Sequence, residues 1–143
     1  MITFMNIAVE SLAGLSTVTK SFVPLLSSGG ICLLKGPMAS GKTTFVSSFM
    51  AHFDFFGVSS PSFSLVQEYE SSISVFHMDL YRLESYDELE LLDLEHYFKQ
   101  KTHLIFIEWA EKLGDFHYPY CEILFKKCGG ETRELEFNDF RNV

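Results

Sequence analysis

Apolar residues are spaced along the chain in two ways, one typical of helices and one typical of strands. Residues 7–9 form a short apolar run that predicts a strand. Residues 12–26 carry apolar side chains at helical spacing, and the polar and glycine-rich residues 27–30 predict the end of that helix. Residues 31–34 are apolar throughout and predict a second strand. The pattern therefore predicts a strand, a helix and another strand over the first 34 residues.

The middle of the chain predicts a helix and then a hairpin of two strands. The helix follows residue 43 and is expected to end between residues 51 and 55. Apolar residues between 63 and 69 predict a strand, and Glu70-Ser71-Ser72 predicts a turn. Residues 73–81 are strongly strand-like and complete the expected hairpin.

The last third of the chain predicts three more strands. The run over residues 103–107 is apolar after its first residue, His103, which is typical of a parallel strand buried on both faces. Residues 121–125 and 132–137 alternate instead, and Gly129-Gly130 between them predicts an antiparallel hairpin. We therefore expect an α/β fold of three layers. Its mixed sheet has parallel strands at the centre, antiparallel strands at the edges and helices on both faces.

An acidic segment over residues 84–100 has helical periodicity and predicts one helix or two short ones. Leu89, Leu92 and Tyr97 are expected to face the core. A run of charge is usually a solvated face, although this one also suits the docking of a basic partner. The sequence leaves both interpretations open.

Size and charge narrow the functional classes. At 143 residues the chain is expected to form one domain, residues 1–143. A net charge of −8 with 11 Lys and Arg argues against a basic nucleic-acid-binding face, so any RNA is expected to be reached through a partner protein. No signal-peptide layout or membrane-spanning run is present, which predicts a cytoplasmic protein. The three cysteines and five histidines show no recurring ligand spacing, so a metal site among them is not favoured.

Residues 36–43, GPMASGKT, fit the phosphate-binding P-loop pattern, and they stand between a predicted strand and a predicted helix. Gly36 and Gly41 allow backbone N–H groups to approach phosphate oxygens at a helix N-terminus. Lys42 would reach the β- and γ-phosphates, and the Thr43 hydroxyl would ligate Mg²⁺. The candidate nucleotide ligands in this stretch are Gly36, Pro37, Met38, Ala39, Ser40, Gly41, Lys42, Thr43 and Thr44.

Two carboxylates are the candidate partners of the P-loop. Glu108 closes the apolar run that predicts a central strand, where an acid meets Mg²⁺ and the attacking water in P-loop enzymes. The alternative is an acid at the sheet edge that meets solvent. Asp79 lies in apolar surroundings, so its charge needs a partner; Mg²⁺, Lys42 and Arg82 are the candidates.

Three further features are open to two interpretations each. Trp109 either covers the site or caps the core. The serine-rich loop over residues 59–64 is either a segment that responds to the γ-phosphate or an ordinary turn. Arg133 is kept as a candidate nucleotide ligand, although its place in a predicted hairpin favours the surface.

The motifs together resemble the bacterial TsaE (YjeE) family of small P-loop ATPases, which are required for tRNA threonylcarbamoyladenosine biosynthesis. The resemblance spans nearly the whole chain and keeps the family's order and spacing. It rests on GPMASGKTTF, SSPSFSLVQEY, HMDLYRL, ELELLDLEHYF and LIFIEW. A P-loop alone indicates only a superfamily, whereas the later motifs are far more specific.

The resemblance implies roles for individual residues. Lys42 would hold the phosphates, and Thr43 with Glu108 would serve Mg²⁺. Asp79 would lie near Mg²⁺ and the γ-phosphate. The remaining matches are Ser62 and Ser64 in a switch-like segment, Trp109 in the family's EWP pattern, and Ser16 in the part that helps enclose adenine.

The resemblance also implies an activity and partners. It implies Mg²⁺-dependent ATP hydrolysis coupled to the tRNA threonylcarbamoyl transferase complex, with protein partners of the TsaD and TsaB type. Arg82 is the one candidate arginine finger within the chain, so turnover is expected to be slow alone and faster in the complex. In the expected mechanism Lys42 and Mg²⁺ neutralise charge on the γ-phosphate while Glu108 or Asp79 orients water. The isolated chain is expected to be a monomer.

The chain departs from the family pattern inside the loop. The family's GDLGAGKT is GPMASGKT here, so Pro37 replaces an aspartate and Ala39 a glycine, and EWP has become EWA. Because Lys42 and Thr43 are retained, we expect altered affinity or loop stiffness rather than lost binding. Two other functions remain open, a small-molecule kinase with the same loop and an adaptor that binds ATP without obligatory turnover. The kinase is disfavoured because the chain has only three arginines, Arg82, Arg133 and Arg141, to form a lid.

Overall fold

The computed structural model describes residues 4–61, 65–84, 93–114 and 116–141. In chain order the strands are β1 (Phe4–Val9), β2 (Gly30–Lys35), β3 (Val66–Glu70), β4 (Ser74–Asp79), β5 (Leu104–Glu108), β6 (Tyr120–Lys127) and β7 (Arg133–Asp139). The helices are α1 (Leu12–Leu26), α2 (Lys42–Ala51), α3 (Leu94–Phe98) and a short 3-10 helix (Ala110–Leu113). Within the described part of the chain, each helix is too short or too polar to cross a membrane.

The seven strands form one mixed sheet in the order β1-β7-β6-β2-β5-β4-β3. The four central strands β6, β2, β5 and β4 are mutually parallel, whereas β3 on one side and β7 and β1 on the other pair antiparallel. All five residues of β5 are buried, as expected for a strand covered on both faces. The predicted mixed sheet with a parallel centre is confirmed.

Both faces of the sheet are covered by helices, as predicted. On one face α1 and α2 pack on an apolar core that includes five wholly buried phenylalanines: Phe22, Phe45, Phe49, Phe106 and Phe137. On the other face, α3 and the 3-10 helix cover the remaining side chains of the central strands, among them Ile105, Ile107 and Met78. Alternate residues of each central strand therefore contribute to separate cores.

Most predicted elements are found with small changes at their ends. The helix over residues 12–26 is confirmed at both ends, and the Ser11 side chain caps it by accepting a hydrogen bond from Gly14 N–H at 3.0 Å. β1 begins at Phe4 rather than at residue 7, because it pairs with β7 along its full length. Both predicted hairpins are present, β3 with β4 and β6 with β7.

β4 is shorter than its apolar run predicts and ends at Asp79 rather than at Tyr81. The Asp79 carboxylate accepts a hydrogen bond from Tyr81 N–H at 3.0 Å, which stabilises a local turn directly after the strand. The helix predicted within residues 84–100 is found as α3, and Tyr97 packs against the core as expected. Leu89, Leu92 and Phe63 lie outside the described residues.

Phe45 is a buried link between α2 and three other elements. Its ring packs edge-to-face on Phe22 of α1 at 5.4 Å, on Phe106 of β5 at 6.4 Å and on Phe125 of β6 at 5.8 Å. Replacing this ring by a methyl group is expected to leave a cavity between α2 and the sheet, because a close-packed core relaxes only in part.

We predict that Phe45→Ala lowers the free energy of unfolding by about 3–5 kcal/mol, as measured by urea unfolding followed by circular dichroism. Phe56→Ala is the matched control, since the Phe56 side chain is 78% exposed, and its effect is expected to stay within about 0.5 kcal/mol. Equal destabilisation by the two variants would contradict the assignment of Phe45 to the core.

Candidate functional site

The candidate site lies where the parallel strands end. β2, β4 and β5 run in the same direction, so residues 35, 79 and 108 come to one edge of the sheet. The loop over residues 36–41 leaves β2 at this edge and enters α2. Every predicted site residue in the described chain, apart from Ser16, lies in or beside this loop.

Two glycines give the loop its path, each for a different reason. A Cβ on Gly36 would lie 2.9 Å from Phe125 O and 2.8 Å from Ser40 Oγ, so a larger residue does not fit without displacing β6. Gly41 is the N-cap of α2 and has φ of +102°, a conformation that side chains rarely adopt. The loop therefore turns back sharply and aims the start of α2 at the cleft.

The loop has features that suit an anion. The first hydrogen bond within α2 runs from Phe45 N–H to Gly41 O at 2.8 Å, so the N–H groups of the first helical turn have no acceptor inside the helix. The Ser40 hydroxyl is buried, and among the described residues its oxygen has no hydrogen-bond partner. Unsatisfied donors at the positive end of a helix dipole fit phosphate oxygens.

Lys42 brings a positive charge to the same place. Its Nζ donates to Gly36 O at 2.6 Å and lies 3.8 Å from the centre of the Trp109 ring. Burial lowers the pKa of Lys42, and the negative charges of Glu108, Glu111 and Asp79 oppose that shift. The ammonium group is thus held over an aromatic face by carbonyl oxygens and nearby carboxylates.

Glu108 and Asp79 are cross-strand neighbours at the ends of β5 and β4. Glu108 is 3% exposed, and its Oε2 accepts a hydrogen bond from Thr43 Oγ1 at 2.7 Å. Asp79 is half-buried and accepts hydrogen bonds from Tyr81 N–H at 3.0 Å and from Ser60 Oγ at 3.3 Å. Burial raises the pKa of Asp79, the Tyr81 N–H lowers it and the nearby Glu108 charge raises it. Neither acid is an ordinary surface carboxylate.

The loop, Lys42, Thr43 and both carboxylates line a cleft of about 440 Å³. Arg82 and Trp109 also line it, and Trp109 packs against Tyr81 with ring centres 5.0 Å apart. Hydroxyl and carboxylate oxygens at one edge are the ligands that Mg²⁺ prefers. Thr43, Glu108 and Asp79 are therefore suited to hold that ion beside a phosphate.

A second cleft of about 420 Å³ adjoins the other side of the loop. Apolar side chains from β1, α1, β6 and β7 form most of its walls: Val9, Leu12, Leu15, Phe125 and Leu135. Such walls suit a flat apolar ring, such as a nucleotide base. The two clefts share Ala39, Ser40, Gly41 and Thr44, so one ligand with a polar end and a flat end can occupy both.

Two residues predicted from the sequence have contrasting positions around the second cleft. Arg133 lines it and donates to Ala39 O at 3.4 Å, so it touches the loop rather than only the surface. Ser16 is exposed on α1 outside the cleft, and its carbonyl lies 3.0 Å from His52 Nε2. From α1 and its cap, Ser11, Leu12 and Leu15 line the cleft instead.

Pro37 and Ala39, the two loop positions that depart from the family pattern, form part of a tight turn. Ser40 N–H donates to Pro37 O at 3.2 Å, and Ala39 has φ of +58° between them. Because the turn uses the carbonyl of Pro37, it does not need the N–H that proline lacks. Ala39 adopts a left-handed conformation at a cost of about 1–2 kcal/mol, which a glycine would not incur.

Sequence reasoning missed two buried residues behind Glu108. His77 Nε2 lies 2.5 Å from Glu108 Oε2, and Tyr69 OH lies 2.8 Å from His77 Nδ1. The available signal was a histidine inside an apolar strand, two residues before Asp79 and therefore on the same face. Ser62 and Ser64 of the predicted switch-like segment lie outside the described residues.

Comparison with known proteins agrees with this geometry. A family model described as "Threonylcarbamoyl adenosine biosynthesis protein TsaE" matches residues 9–135. Two similar proteins, both named "tRNA threonylcarbamoyladenosine biosynthesis protein TsaE", come from Bacillus subtilis and Haemophilus influenzae. The Bacillus subtilis protein is 32% identical over 117 residues, which cover 80% of this chain and 72% of the relative. The Haemophilus influenzae protein is 37% identical over 93 residues, which cover 64% of this chain and 58% of the relative.

A solved structure has the same fold. YdiB from Bacillus subtilis superposes with a TM-score of 0.76 at 22% identity, covering 98% of this chain and 88% of YdiB. The family match includes strands β2 to β6 and the residues that line both clefts. The chain therefore belongs to the TsaE family.

Proposed function

We propose that this chain binds ATP with Mg²⁺ and hydrolyses it during threonylcarbamoyl modification of the adenosine next to the anticodon in tRNA. It would act with partner proteins of the TsaD and TsaB type. One observation carries the proposal: the Thr43 hydroxyl donates to the buried Glu108 carboxylate at 2.7 Å beside the Lys42 ammonium, at the start of a helix that follows a P-loop. The names of its relatives support the assignment to tRNA threonylcarbamoyladenosine biosynthesis, and the geometry of the site supports ATP binding and hydrolysis.

Phosphate binding follows from the loop and Lys42. The first turn of α2 offers N–H groups, and the Lys42 ammonium lies 2.6 Å from the carbonyl of Gly36 at the start of the loop. A phosphate would replace carbonyl oxygens as the principal partner of this ammonium and would gain charge-assisted hydrogen bonds. The apolar second cleft would then receive the base.

Hydrolysis follows from the oxygen ligands. Thr43, Glu108 and Asp79 would hold Mg²⁺, which supplies Lewis-acid stabilisation of the charge on the phosphates. Lys42 would neutralise charge that develops on the γ-phosphate. Asp79 and Glu108 both line the cleft, and either carboxylate can accept a proton from the attacking water.

Among the residues that the structure describes, Arg82 is the one arginine that lines the phosphate cleft, whereas a small-molecule kinase usually has an arginine-rich lid. Arg141 is committed elsewhere, because it pairs with Asp139 at 2.8 Å and donates to Leu25 O. In the described chain this leaves Arg82 at the phosphate cleft and Arg133 at the base cleft. Such a site suits slow hydrolysis that partner proteins accelerate. The net charge of −8 likewise favours contact with tRNA through those partners.

We predict that Lys42→Ala weakens ATP binding by about 10- to 100-fold, because charged hydrogen bonds to phosphate contribute about 1.5–3 kcal/mol. Isothermal titration calorimetry with ATP and Mg²⁺ measures this change. Lys35→Ala is the matched control, since Lys35 pairs with Glu122 at 3.2 Å and lines neither cleft. Unchanged affinity in Lys42→Ala would contradict binding at this loop.

We predict that Glu108→Gln keeps ATP binding measured in EDTA within a few-fold of wild type but slows hydrolysis by about 100-fold or more, because an amide is a weaker Mg²⁺ ligand and cannot accept the proton of the attacking water. Asp79→Asn, measured in parallel, compares the two candidate bases. The readouts are phosphate release and tRNA modification reconstituted with the partner proteins.

The reconstituted reaction also distinguishes an enzyme from an adaptor. Full tRNA modification with a Glu108→Gln protein that binds but does not hydrolyse ATP would show that occupancy alone suffices. Modification that proceeds equally well without this chain would refute its proposed part in the pathway.

A further inference from the structure

Behind Glu108, a chain of hydrogen bonds crosses three neighbouring strands. Tyr69 on β3, His77 on β4 and Glu108 on β5 are 2%, 0% and 3% exposed. Tyr69 OH lies 2.8 Å from His77 Nδ1, and His77 Nε2 lies 2.5 Å from Glu108 Oε2. The chain continues to Thr43 of α2, whose hydroxyl donates to the same carboxylate oxygen at 2.7 Å.

The chemistry of the carboxylate fixes the direction of its two hydrogen bonds. An ionised Glu108 carboxylate only accepts, so its Oε2 receives one hydrogen bond from Thr43 O–H and one from His77 Nε2–H. The Tyr69 hydroxyl lies at hydrogen-bond distance from His77 Nδ1 at 2.8 Å, Ser59 O at 3.1 Å and Gln67 Oε1 at 3.3 Å. Burial raises the pKa of Tyr69, which keeps the phenol protonated and able to donate.

This arrangement leaves the two oxygens of Glu108 unlike. Oε2 is held by donors from α2 and β4, whereas among the described residues no hydrogen-bond donor lies against Oε1. Glu108 as a whole lines the phosphate cleft. A carboxylate that accepts two hydrogen bonds at one oxygen cannot rotate freely. Its other oxygen therefore keeps a fixed direction relative to Thr43.

We infer that His77, itself held by Tyr69, is a positioning residue that fixes the Glu108 carboxylate so that Glu108 and Thr43 present a preformed pair of oxygen ligands to Mg²⁺. This inference rests on the proposed function. It assigns to His77 a role that acts through Glu108, without contact with the nucleotide. Residues that orient a ligand through a second hydrogen bond typically change metal affinity or activity by about 10- to 100-fold when replaced.

A buried histidine with both nitrogens satisfied also contributes to packing, and a purely structural role predicts a different outcome. It predicts loss of stability with no selective effect on Mg²⁺ affinity, since His77 lines neither cleft. A positioning role predicts that replacing His77 leaves the affinity for ATP without Mg²⁺ unchanged. The increase in ATP affinity that Mg²⁺ normally causes is lost. The two roles therefore differ in a measurement that does not depend on turnover.

The experiment compares His77→Phe, which removes the donor, with His77→Gln, whose amide N–H replaces it. ATP affinity is titrated by calorimetry with Mg²⁺ and with EDTA, and kcat and KM are measured over a range of Mg²⁺ concentrations. For His77→Phe we expect the Mg²⁺ midpoint to rise by about 10-fold or more, kcat to fall by about 10- to 100-fold and ATP affinity in EDTA to stay within about 2-fold of wild type. His77→Gln is expected to bring both the Mg²⁺ midpoint and kcat most of the way back to their wild-type values.

Two further variants complete the comparison, one as a control and one as a second test. His103 also pairs with a glutamate, Glu68 at 3.2 Å, but it stacks on Phe76 on the opposite face, away from the loop. His103→Phe is expected to leave the Mg²⁺ midpoint unchanged. Tyr69→Phe removes the hydroxyl that contacts His77 Nδ1, Ser59 O and Gln67 Oε1. It is expected to raise the Mg²⁺ midpoint by about 3-fold, which provides a test if His77→Phe does not fold.

The outcomes separate the two proposals. A wild-type chain that does not bind ATP refutes the proposed function and the positioning role that rests on it. Wild-type binding and hydrolysis, with an unchanged Mg²⁺ midpoint in folded His77→Phe, overturn the positioning role alone. If His77→Phe does not fold, the positioning role is also overturned when folded Tyr69→Phe has the same Mg²⁺ midpoint as wild type.

Discussion

A nearly buried carboxylate at the end of the central strand β5 constrains the rest of this structure. An ionised group in that position costs free energy unless hydrogen bonds and opposite charge replace water around it. Thr43 and His77 supply hydrogen bonds to Glu108, and Lys42 supplies a nearby positive charge. Thr43 and Lys42 belong to α2 and His77 belongs to β4, so the position of Glu108 fixes how α2, β4 and β5 meet.

The parallel centre of the sheet makes this meeting possible. Because β2, β4 and β5 run in one direction, their ends bring a loop and two acids to a single edge. The phenylalanine core beneath α2 then holds the helix start in place, with Phe45 in contact with α1, β5 and β6. Packing on one face therefore sets the distance between Thr43 and Glu108 on that same face.

The sequence predicted those parts of the site that depend on local pattern. The loop, the acid that closes β5 and the acid in β4 could each be read from a motif or from an apolar run, and parallel pairing then brings them together. Cross-strand contacts are harder to predict, since the bond between His77 and Glu108 depends on the register of two strands far apart in sequence. Ser16 shows the same limit within a helix: a turn of about 100° per residue separates it from Leu15, which does line the base cleft.

The edge of the sheet at β1 has a consequence for local stability. β1 and β7 come from distant parts of the sequence and pair with each other, and β7 also pairs with β6. Each contributes a wall to the second cleft, through Val9 and Leu135. A ligand that fills this cleft binds only while the edge strands are docked, so its binding free energy is added to the cost of opening them. Amide hydrogen exchange in β1 and β7 would then slow with occupancy, even though both strands lie outside the parallel centre.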